Sequence, residues 1–416
     1  MSYNNSMTMN VSASLLMQHG EKNPLVAIAC GGTGGHLFPG LAVAEVLARS
    51  GCAISLLISP KEVDQQAVQC AAGMEILTLP TVGLVDGQLG PFMRGLWQSY
   101  RAAKQRFKAR PPQAVLAMGG FTSAPPILAV SGVGAATFLH EANSIPGRAN
   151  RWLAPFVDAA FIGFPSAARR LHCQTVKTTG TPVRRQFHSM DAAACRICLG
   201  FDADRPVLLV MGGSQGASAV NLLVSQSLAL LSARSPDLQF LHLTGARDFK
   251  KICDAYAAHK LKAVVRPFLT EMELALGAAT VAISRAGASS LAELAAMRVP
   301  VVLIPYPSAA DNHQFYNAWA FVESGAARML EQEKATPEML AEMINGLLEK
   351  PDLRIGMQEA LAKWHQSDAA GQIAAQILEA MTRNGVRFPA LASQGGKPEP
   401  DALRSGRAKM QTANAG

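Results

Sequence analysis

The feature that most constrains the fold is a repeated unit in which a short apolar run ends in a glycine-rich turn and an alanine-rich stretch follows. The first unit has an apolar run at Pro24–Cys30, glycines over Gly31–Gly35 and a predicted helix over Pro39–Ser50. Short continuous apolar runs are typical of strands buried on both faces of a parallel sheet. Alternation of such strands with helices predicts a βαβ architecture.

The unit recurs in two series, which predicts two Rossmann-like halves. Further strands expected in the first series are Ala53–Ile58, Ala114–Met118, Ala136–His140 and Ala159–Ile162. The pattern restarts at Pro206–Met211 and continues with Gln239–Leu243, Val264–Pro267, Val281–Ser284 and Val301–Pro305. We predict an α/β fold of two doubly wound parallel-sheet domains that face each other across a cleft, with a boundary between Gly180 and Asp204.

The length of 416 residues suits two domains better than one core. Hydrophobic residues make up 49% of the chain and charged residues 16%, which favours buried structure over general disorder. The limits we predict are a loose extension over 1–23, a first domain over 24–180, a second domain over 181–383 that closes with helices from Pro337, and a disordered tail over 384–416.

Charge and cysteine content indicate which partners and which cellular compartment to expect. The net charge of +8 suits an anionic partner, such as a phosphorylated substrate, an acidic membrane surface or a nucleic acid. Seven cysteines without a spacing framework indicate reduced thiols, and the pair Cys195 and Cys198 has no second pair to complete a metal site. No apolar run reaches the roughly 18 residues of a membrane span, and the first 23 residues lack a secretory signal. We expect a cytosolic protein, or one attached to a membrane surface.

Four turns rich in glycine or other small residues follow predicted strands. They are Gly31–Gly35, Gly119–Ser123, Gly212–Gly216 and Ser284–Ala288. Glycine allows a ligand to approach the backbone closely, and a helix N-terminus favours a phosphate group. One such turn could be a tight turn without a ligand. Four of them at the carboxyl ends of strands predict a cleft that binds two diphosphate ligands, one in each half.

Two competing loop chemistries fit these turns poorly. A P-loop needs a lysine after its last glycine, and none of the turns has one. The dinucleotide fingerprint G-x-G-x-x-G fails because Leu37 occupies the position of the third glycine. Hydride transfer is therefore an alternative from another reaction class and not the first choice.

Taken together, the motifs resemble those of a bacterial enzyme family. In the first half they are Gly31–Gly40, His140–Asn143, Pro146–Gly147 and Gly180–Arg184, and in the second half Gly212–Ala217, Ser284–Glu293, Asp311–Gln314 and Asn317. In this order they are similar to the undecaprenyldiphospho-muramoylpentapeptide β-N-acetylglucosaminyltransferases, the MurG family of glycosyltransferase family 28. The resemblance covers roughly Pro24 to Arg383. Ala142, Thr181 and Ala124 depart from the family's usual Gln, Asn and Gly, which affects local hydrogen bonds.

The resemblance implies the GT-B fold and an inverting reaction. N-acetylglucosamine (GlcNAc) would pass from UDP-GlcNAc to the 4-hydroxyl of the muramic sugar in lipid I, giving lipid II for the cell wall. It implies no metal or other cofactor and no nucleic acid partner, and we see no Asp-x-Asp pair for a catalytic metal. The alternatives are a UDP-GlcNAc 2-epimerase or nicotinamide enzyme on a similar two-lobed fold, and a non-catalytic nucleotide-binding protein at the membrane.

The resemblance also implies a donor site that lies mainly in the second half. Ser214 would hold the UDP diphosphate, Leu269 would meet the uracil through its backbone, and Glu293 would accept hydrogen bonds from ribose hydroxyls. Gln314 and Asn317 would contact sugar hydroxyls. The other implied substrate-binding residues are Thr33, Gly34, Gly35, Asn143, Arg184, Ala288, Ser289, Ser290, Leu291 and Ala292.

His36 is the candidate general base, because imidazole can accept the proton of the attacking hydroxyl near neutral pH. The helix N-terminus on which it lies is expected to lower its pKa and keep it neutral. Binding of the acceptor phosphate and ordering of the loop remain alternative roles. His140 and Glu141 are neighbours on a predicted strand and point to opposite faces, which indicates a structural role for both.

The segment Phe92–Arg110 combines apolar side chains with cations and contains no acidic residue. The apolar anchors are Phe92, Met93, Leu96, Trp97 and Phe107, and the cations are Arg94, Arg101, Lys104, Arg106, Lys108 and Arg110. Such a helix binds anionic lipid surfaces. With the family resemblance, it predicts peripheral attachment to the cytoplasmic face of the inner membrane. The alternative is a domain helix whose apolar side is core.

Overall fold

The computed structural model describes residues 23–32, 34–61, 64–65, 71, 73–80, 89–213 and 215–388. The first half holds the strands β1 Leu25–Ala29, β2 Ala53–Ile58, β3 Glu75–Thr78, β4 Ala114–Ala117, β5 Ala136–Glu141, β6 Ala159–Ile162 and β7 Val176–Thr178. The second half holds β8 Val207–Met211, β9 Gln239–Leu243, β10 Ala263–Arg266, β11 Val281–Ser284, β12 Val301–Leu303 and β13 Arg328–Met329. All strand pairs are parallel, which confirms the predicted doubly wound α/β class.

Helices connect the strands and cover the sheets. In the first half they are α1 Gly34–Arg49, α2 Leu89–Ala109, α3 Ala124–Ala129 and α4 Arg148–Leu153. In the second half they are α5 Ala192–Cys198, α6 Ser218–Arg234, α7 Phe249–Ala258, α8 Met272–Ala278, α9 Ala288–Met297, α10 His313–Glu323, α11 Pro337–Glu349, α12 Pro351–Trp364 and α13 Ala369–Arg383. None of the described helices has the length and apolar character that a membrane-spanning helix needs.

The strand orders explain where the glycine turns meet. The first sheet runs β3-β2-β1-β4-β5-β6-β7 and the second runs β10-β9-β8-β11-β12-β13. In each sheet the strand order reverses between two central neighbours, β1 with β4 and β8 with β11. Open α/β sheets bind ligands in the crevice at such a reversal. All four predicted turns follow these four strands, so each half presents two of them at its own crevice.

The expectations and the structure differ at the sheet edges and at one helix start. The strands β3, β7 and β13 were not predicted, because they are short edge strands with partly exposed residues and no continuous apolar run. The expected helix at Pro39 begins at Gly34 instead. The predicted start was wrong, since Pro39 lies inside the helix.

The last helix returns to the first half of the molecule. Ile373, Ile377 and Met381 of α13 are fully buried in a cluster with β1, β2 and α1. Near the crossing, Phe164 of the first half packs against Trp364, with ring centroids 5.1 Å apart. We propose that the first domain comprises 24–180 and is completed by this helix.

Candidate active site

A cleft of about 1770 Å³ lies between the two halves, and all four predicted turns contribute to its wall. The contributing residues are Gly34 and Gly35, Gly119 and Gly120, Gly213, and Gly287 with Ala288. The two helices that begin at these turns, α1 and α9, are in contact across the cleft. The expectation that the turns converge is therefore confirmed.

His36 lies in the first turn of α1 and packs on the turn after β4. Gly119 and Gly120 have φ angles of +109° and +75°, which side chains rarely allow. A β-carbon on Gly119 would lie 2.8 Å from His36 Cε1, and one on Gly120 would lie 3.2 Å from Cδ2. Both glycines are therefore required by backbone conformation and by contact with the imidazole.

The electrostatic environment of His36 keeps the ring neutral. Burial lowers its pKa below the ordinary value, and this effect outweighs the nearby carboxylates of Glu141 and Asp64, which raise it. The expected direction of the shift is therefore found, but its leading cause is burial. A neutral imidazole on the cleft wall can accept a proton.

We expect Gly119→Ala to lower turnover by about tenfold or more, because the new methyl group would displace the His36 ring and strain the turn by about 1–3 kcal/mol. Steady-state kinetics and thermal unfolding of the purified variant would test this. Gly132→Ala is the matched control, because Gly132 also has a positive φ but a β-carbon there would have no atom of the described residues within 4 Å. A Gly119→Ala enzyme with normal turnover would contradict the role given to this contact.

Glu141 organises the wall next to His36. Its buried carboxylate accepts four hydrogen bonds, from Asn143 N and Nδ2 at 2.8 and 3.1 Å, from Gly147 N at 2.9 Å and from Asn150 Nδ2 at 2.9 Å. Its neighbour His140 points away, and His140 Nε2 lies 3.2 Å from the carbonyl oxygen of Gly180. Burial lowers the pKa of His140 to about 4, so it stays neutral.

Two polar contacts link the halves beside the cleft. Asn317 on α10 is fully buried, and its Oδ1 accepts from both Ser144 N and Ser144 Oγ at 2.9 Å. Its Nδ2 donates to Asn143 Oδ1 at 3.0 Å and to the Ala286 carbonyl at 3.1 Å. Farther out, Arg151 Nη2 donates to Asp311 Oδ2 at 2.5 Å. The two contacts join the first half to α10 and to the residues just before it.

Glu293 on α9 and Arg184 also line the cleft. Burial raises the pKa of the Glu293 carboxyl to about 7, Arg184 opposes that rise, and Glu273 adds to it. The Arg184 guanidinium lies 4.6 Å from the ring centroid of Phe38 on α1, which holds it between the halves. A carboxyl group poised near neutrality in a cleft is a candidate for ligand binding.

The cleft brings together most of the predicted site residues. On its wall are Gly34, Gly35, His36, Asn143, Arg184, Leu269, Ala288, Ser289, Ser290, Glu293 and Gln314. Thr33 and Ser214 lie outside the described residues. Gln314 also accepts a hydrogen bond from Tyr306 N at 3.0 Å, through Oε1.

Three predicted residues are placed elsewhere. Leu291 is buried in the core of the second half, because on a helix it points away from the face that carries Ser290 and Glu293. Ala292 is not on the wall. Asn317 is fully buried, and its amide is occupied by hydrogen bonds with Ser144, Asn143 and Ala286. Its contact with a sugar hydroxyl stays a prediction.

Several wall residues were not predicted to act in the site. Glu141 was read as structural, although its place within the motif His140–Asn143 was a signal for a role in the site. Asp311 likewise lies in a motif, Asp311–Gln314, that contains a predicted site residue. Phe38 lies in the motif Gly31–Gly40, but nothing else in the sequence indicated a role for it. Among the described residues, no group of three or more His, Cys, Asp or Glu side chains could hold a metal ion.

Comparisons with known proteins assign both halves of the chain to one family. The model of the glycosyltransferase family 28 N-terminal domain matches residues 26–162, and that of the family 28 C-terminal domain matches residues 207–373. A protein of Sorangium cellulosum is 38% identical over 398 residues, which are 92% of this chain and 94% of that protein. It is named UDP-N-acetylglucosamine–N-acetylmuramyl-(pentapeptide) pyrophosphoryl-undecaprenol N-acetylglucosamine transferase.

Solved structures agree on the fold. The crystal structure of MurG from Acinetobacter baumannii is 26% identical, with a TM-score of 0.66, and the match covers 86% of this chain and 99% of that one. A putative UDP-N-acetylglucosamine 2-epimerase from Listeria monocytogenes has a TM-score of 0.64 at 16% identity, over 88% of this chain and 98% of that one. At that identity, the second likeness concerns the fold alone.

Proposed function

The chain belongs to glycosyltransferase family 28, and we infer from this membership that it transfers GlcNAc from UDP-GlcNAc to N-acetylmuramyl-(pentapeptide) pyrophosphoryl-undecaprenol, which is lipid I. The product is lipid II, the precursor of peptidoglycan. The chain has the GT-B architecture of its relatives. The observation that carries this proposal is the convergence of four turns, two from each half, on one cleft.

The family resemblance implies a single displacement with inversion at the sugar. The 4-hydroxyl of the acceptor attacks C1 of GlcNAc from the side of the first half, while the bond from C1 to the UDP diphosphate breaks. The hydroxyl proton passes to the imidazole of His36, which lies on the cleft wall in neutral form. Negative charge grows on the departing diphosphate, where amide groups at the N-terminus of α9 offer donors aimed at it.

The donor's nucleoside fits the wall of the second half. Leu269 lies beside Phe268, where its backbone can meet the uracil, and the carboxylate of Glu293 can accept hydrogen bonds from ribose hydroxyls. Arg184 also lines the cleft and supplies a cation next to the nucleotide. Gln314 has its Nε2 without a hydrogen bond among the described contacts, so it can donate to a sugar hydroxyl.

The test of the reaction is incorporation of radiolabelled GlcNAc from UDP-GlcNAc into a butanol-soluble lipid, with lipid I as acceptor. We expect labelled lipid only when both substrates are present. Formation of a 2-epimer of the donor sugar without labelled lipid would favour the epimerase. An absorbance change that depends on a nicotinamide cofactor would favour the dehydrogenase class.

We further propose that α2 attaches the protein to an anionic membrane surface. Leu89, Met93 and Trp97 recur at every fourth position and are 60, 50 and 56% exposed. Exposed large apolar side chains in a row are typical of a membrane-binding face. Cations flank the row, and the Arg101 guanidinium lies 4.7 Å from the ring centroid of Trp97.

The attachment face is smaller than the sequence indicated. Phe107 is buried in the first-half core, and Leu96 packs partly against it. Arg106 forms an ion pair with Glu75 at 2.5 Å. The exposed pair Trp152 and Phe156, with ring centroids 5.7 Å apart, adds aromatic surface, and Trp152 also lines the cleft. We propose that the face lies at the mouth through which a lipid-linked acceptor enters.

The double variant Met93→Ser/Trp97→Ser is expected to bind anionic vesicles about 10- to 100-fold more weakly, because two exposed apolar side chains that would enter the lipid are lost. Vesicle sedimentation would measure the change, and transfer to a water-soluble acceptor analogue should stay normal. Ile355→Ser is the matched control, since Ile355 is 51% exposed on α12 in the second half. Equal vesicle binding by the double variant and the wild type would rule out this face.

A further inference from the structure

Two side chains that follow β2 hold the peptide that leads into α1. The Oδ2 atom of Asp64 accepts the N–H of Gly32 at 2.6 Å, and Lys61 Nζ donates to the carbonyl of Gly32 at 3.0 Å. Both polar groups of Gly32 are therefore fixed from the neighbouring strand. The helix that carries His36 begins two residues later, so its entry into the cleft depends on these contacts.

Asp64 is itself anchored in the core of the first half. Its side chain is fully buried, and Oδ2 also accepts from Ser59 N at 3.1 Å and from Ser59 Oγ at 2.5 Å. A β-carbon on Gly31 would lie 2.3 Å from Ser59 N, so the two loops touch backbone to backbone. This arrangement leaves little freedom for Gly31 and Gly32 to move.

The charge of Asp64 needs a separate explanation, because its second oxygen, Oδ1, is buried and has no hydrogen-bond partner among the described contacts. A neutral side chain could accept the N–H of Gly32 without burying a carboxylate, which is costly when only one oxygen is satisfied. The anchoring contacts alone therefore do not account for an acid at this position. What the carboxylate adds is a negative charge beneath the glycine turn.

That charge acts on His36. The titratable groups that bear on the imidazole are Asp64, Glu141 and His140 in the first half and His313 at the start of α10. The two carboxylates raise the pKa of His36 and His313 lowers it, against the larger lowering by burial. The oxygens of Glu141 already accept four N–H donors of the cleft wall, whereas one oxygen of Asp64 has no hydrogen-bond partner among the described residues.

We propose that Asp64 is a positioning residue for the transfer reaction, which fixes the start of α1 through Gly32 and supplies a negative charge that favours proton uptake by His36. This inference rests on the proposed function and on His36 as the base. It assigns a role to a residue that does not line the cleft.

The test is the variant Asp64→Asn, assayed for GlcNAc transfer at saturating UDP-GlcNAc over a range of pH. We expect kcat to fall about tenfold or more, with the KM for the donor within about twofold of the wild type. Activity rises with pH as the base loses its proton. Removal of an anion that stabilises the imidazolium lowers the base's pKa, so the acid limb of the kcat profile should move to lower pH.

Two variants separate charge from packing. Asp64→Glu keeps the charge, so the acid limb should return towards its wild-type position even if kcat stays low. Asp158→Asn is the matched control, because Asp158 Oδ2 holds Thr137 N at 2.7 Å on the same sheet but at the opposite ends of the strands. Asp158→Asn should change neither kcat nor the pH at which the acid limb of the kcat profile lies.

The results for the wild type and for Asp64→Asn test the proposed function and the role of Asp64 separately. If the wild type transfers no GlcNAc, the proposed function fails. If the wild type is active and Asp64→Asn leaves the acid limb in place, or lowers kcat and UDP affinity equally, the role of Asp64 is overturned. Should Asp64→Asn not fold, Ser59→Ala removes one donor to the carboxylate and keeps the charge. We then expect kcat to fall about threefold with the limb in place, and an unchanged kcat would overturn the proposal.

Discussion

Replacement of His36 by alanine is expected to lower kcat for GlcNAc transfer by about 10²- to 10⁴-fold, while the Kd of UDP-GlcNAc changes by less than about threefold. The ring lies on the cleft wall against Gly119 and Gly120, and burial holds it neutral. Loss of the proton acceptor affects the transition state, in which the hydroxyl proton moves, more than the bound donor. Single-turnover transfer and calorimetry with UDP-GlcNAc in the absence of acceptor would measure the two effects separately.

Two controls decide between a base and the alternative roles of His36. His36→Asn keeps a polar side chain that cannot take up a proton, so it should lose as much turnover as His36→Ala if proton uptake is the role. Added imidazole can occupy the space next to Gly119 in the alanine variant and should restore part of the rate. Equal losses in turnover and in donor affinity would instead show that His36 binds substrate or orders the loop.

Replacement of Glu293 by alanine is expected to weaken UDP binding by about 10²-fold, which corresponds to about 3 kcal/mol for ribose hydroxyls left without a charged acceptor. Because burial raises the pKa of the carboxyl to about 7, the free site is partly protonated at neutral pH. The ionised form is the better acceptor, so UDP affinity should rise as pH increases through 7. Calorimetry at a series of pH values measures both effects.

The control for Glu293 uses one neutral and one distant substitution. Glu293→Gln should abolish the increase in affinity with pH, because the amide does not titrate. Glu323→Ala, at the exposed end of α10, should leave both affinity and its pH dependence unchanged. An alanine variant at 293 that binds UDP as tightly as the wild type would remove this residue from the donor site.

The sequence predicted the central strands well and the edges poorly, for one physical reason. A strand inside the sheet such as β6 is buried on both faces and reads as a continuous apolar run, so its predicted limits agree with the structure. The edge strand β3 alternates between half-buried and exposed residues and gives no such run. Burial, rather than strand propensity, is therefore what the sequence pattern reported.

In the candidate site too, some features could be predicted from the sequence and others could not. The glycine turns were visible because each follows a central strand, and the strand order then brings them together. The roles of Asp64 and Asn317 depend on contacts between segments far apart in the chain, such as the one from Asn317 to Ser144. The spacing of residues along the chain does not predict such contacts. The sequence could therefore place Asn317 in a motif but could not predict which side of α10 it occupies.

The burial of α13 against β1 and α1 has a consequence for the order of events during synthesis. The helix that covers this side of the first sheet follows both sheets in the chain, so it leaves the ribosome after them. Until then, the nascent first half carries an open apolar flank, and the second half completes its own sheet before that flank is covered. Folding of the first half is therefore completed only after the second half has been synthesised. A prematurely terminated chain leaves apolar surface exposed, which quality control can recognise.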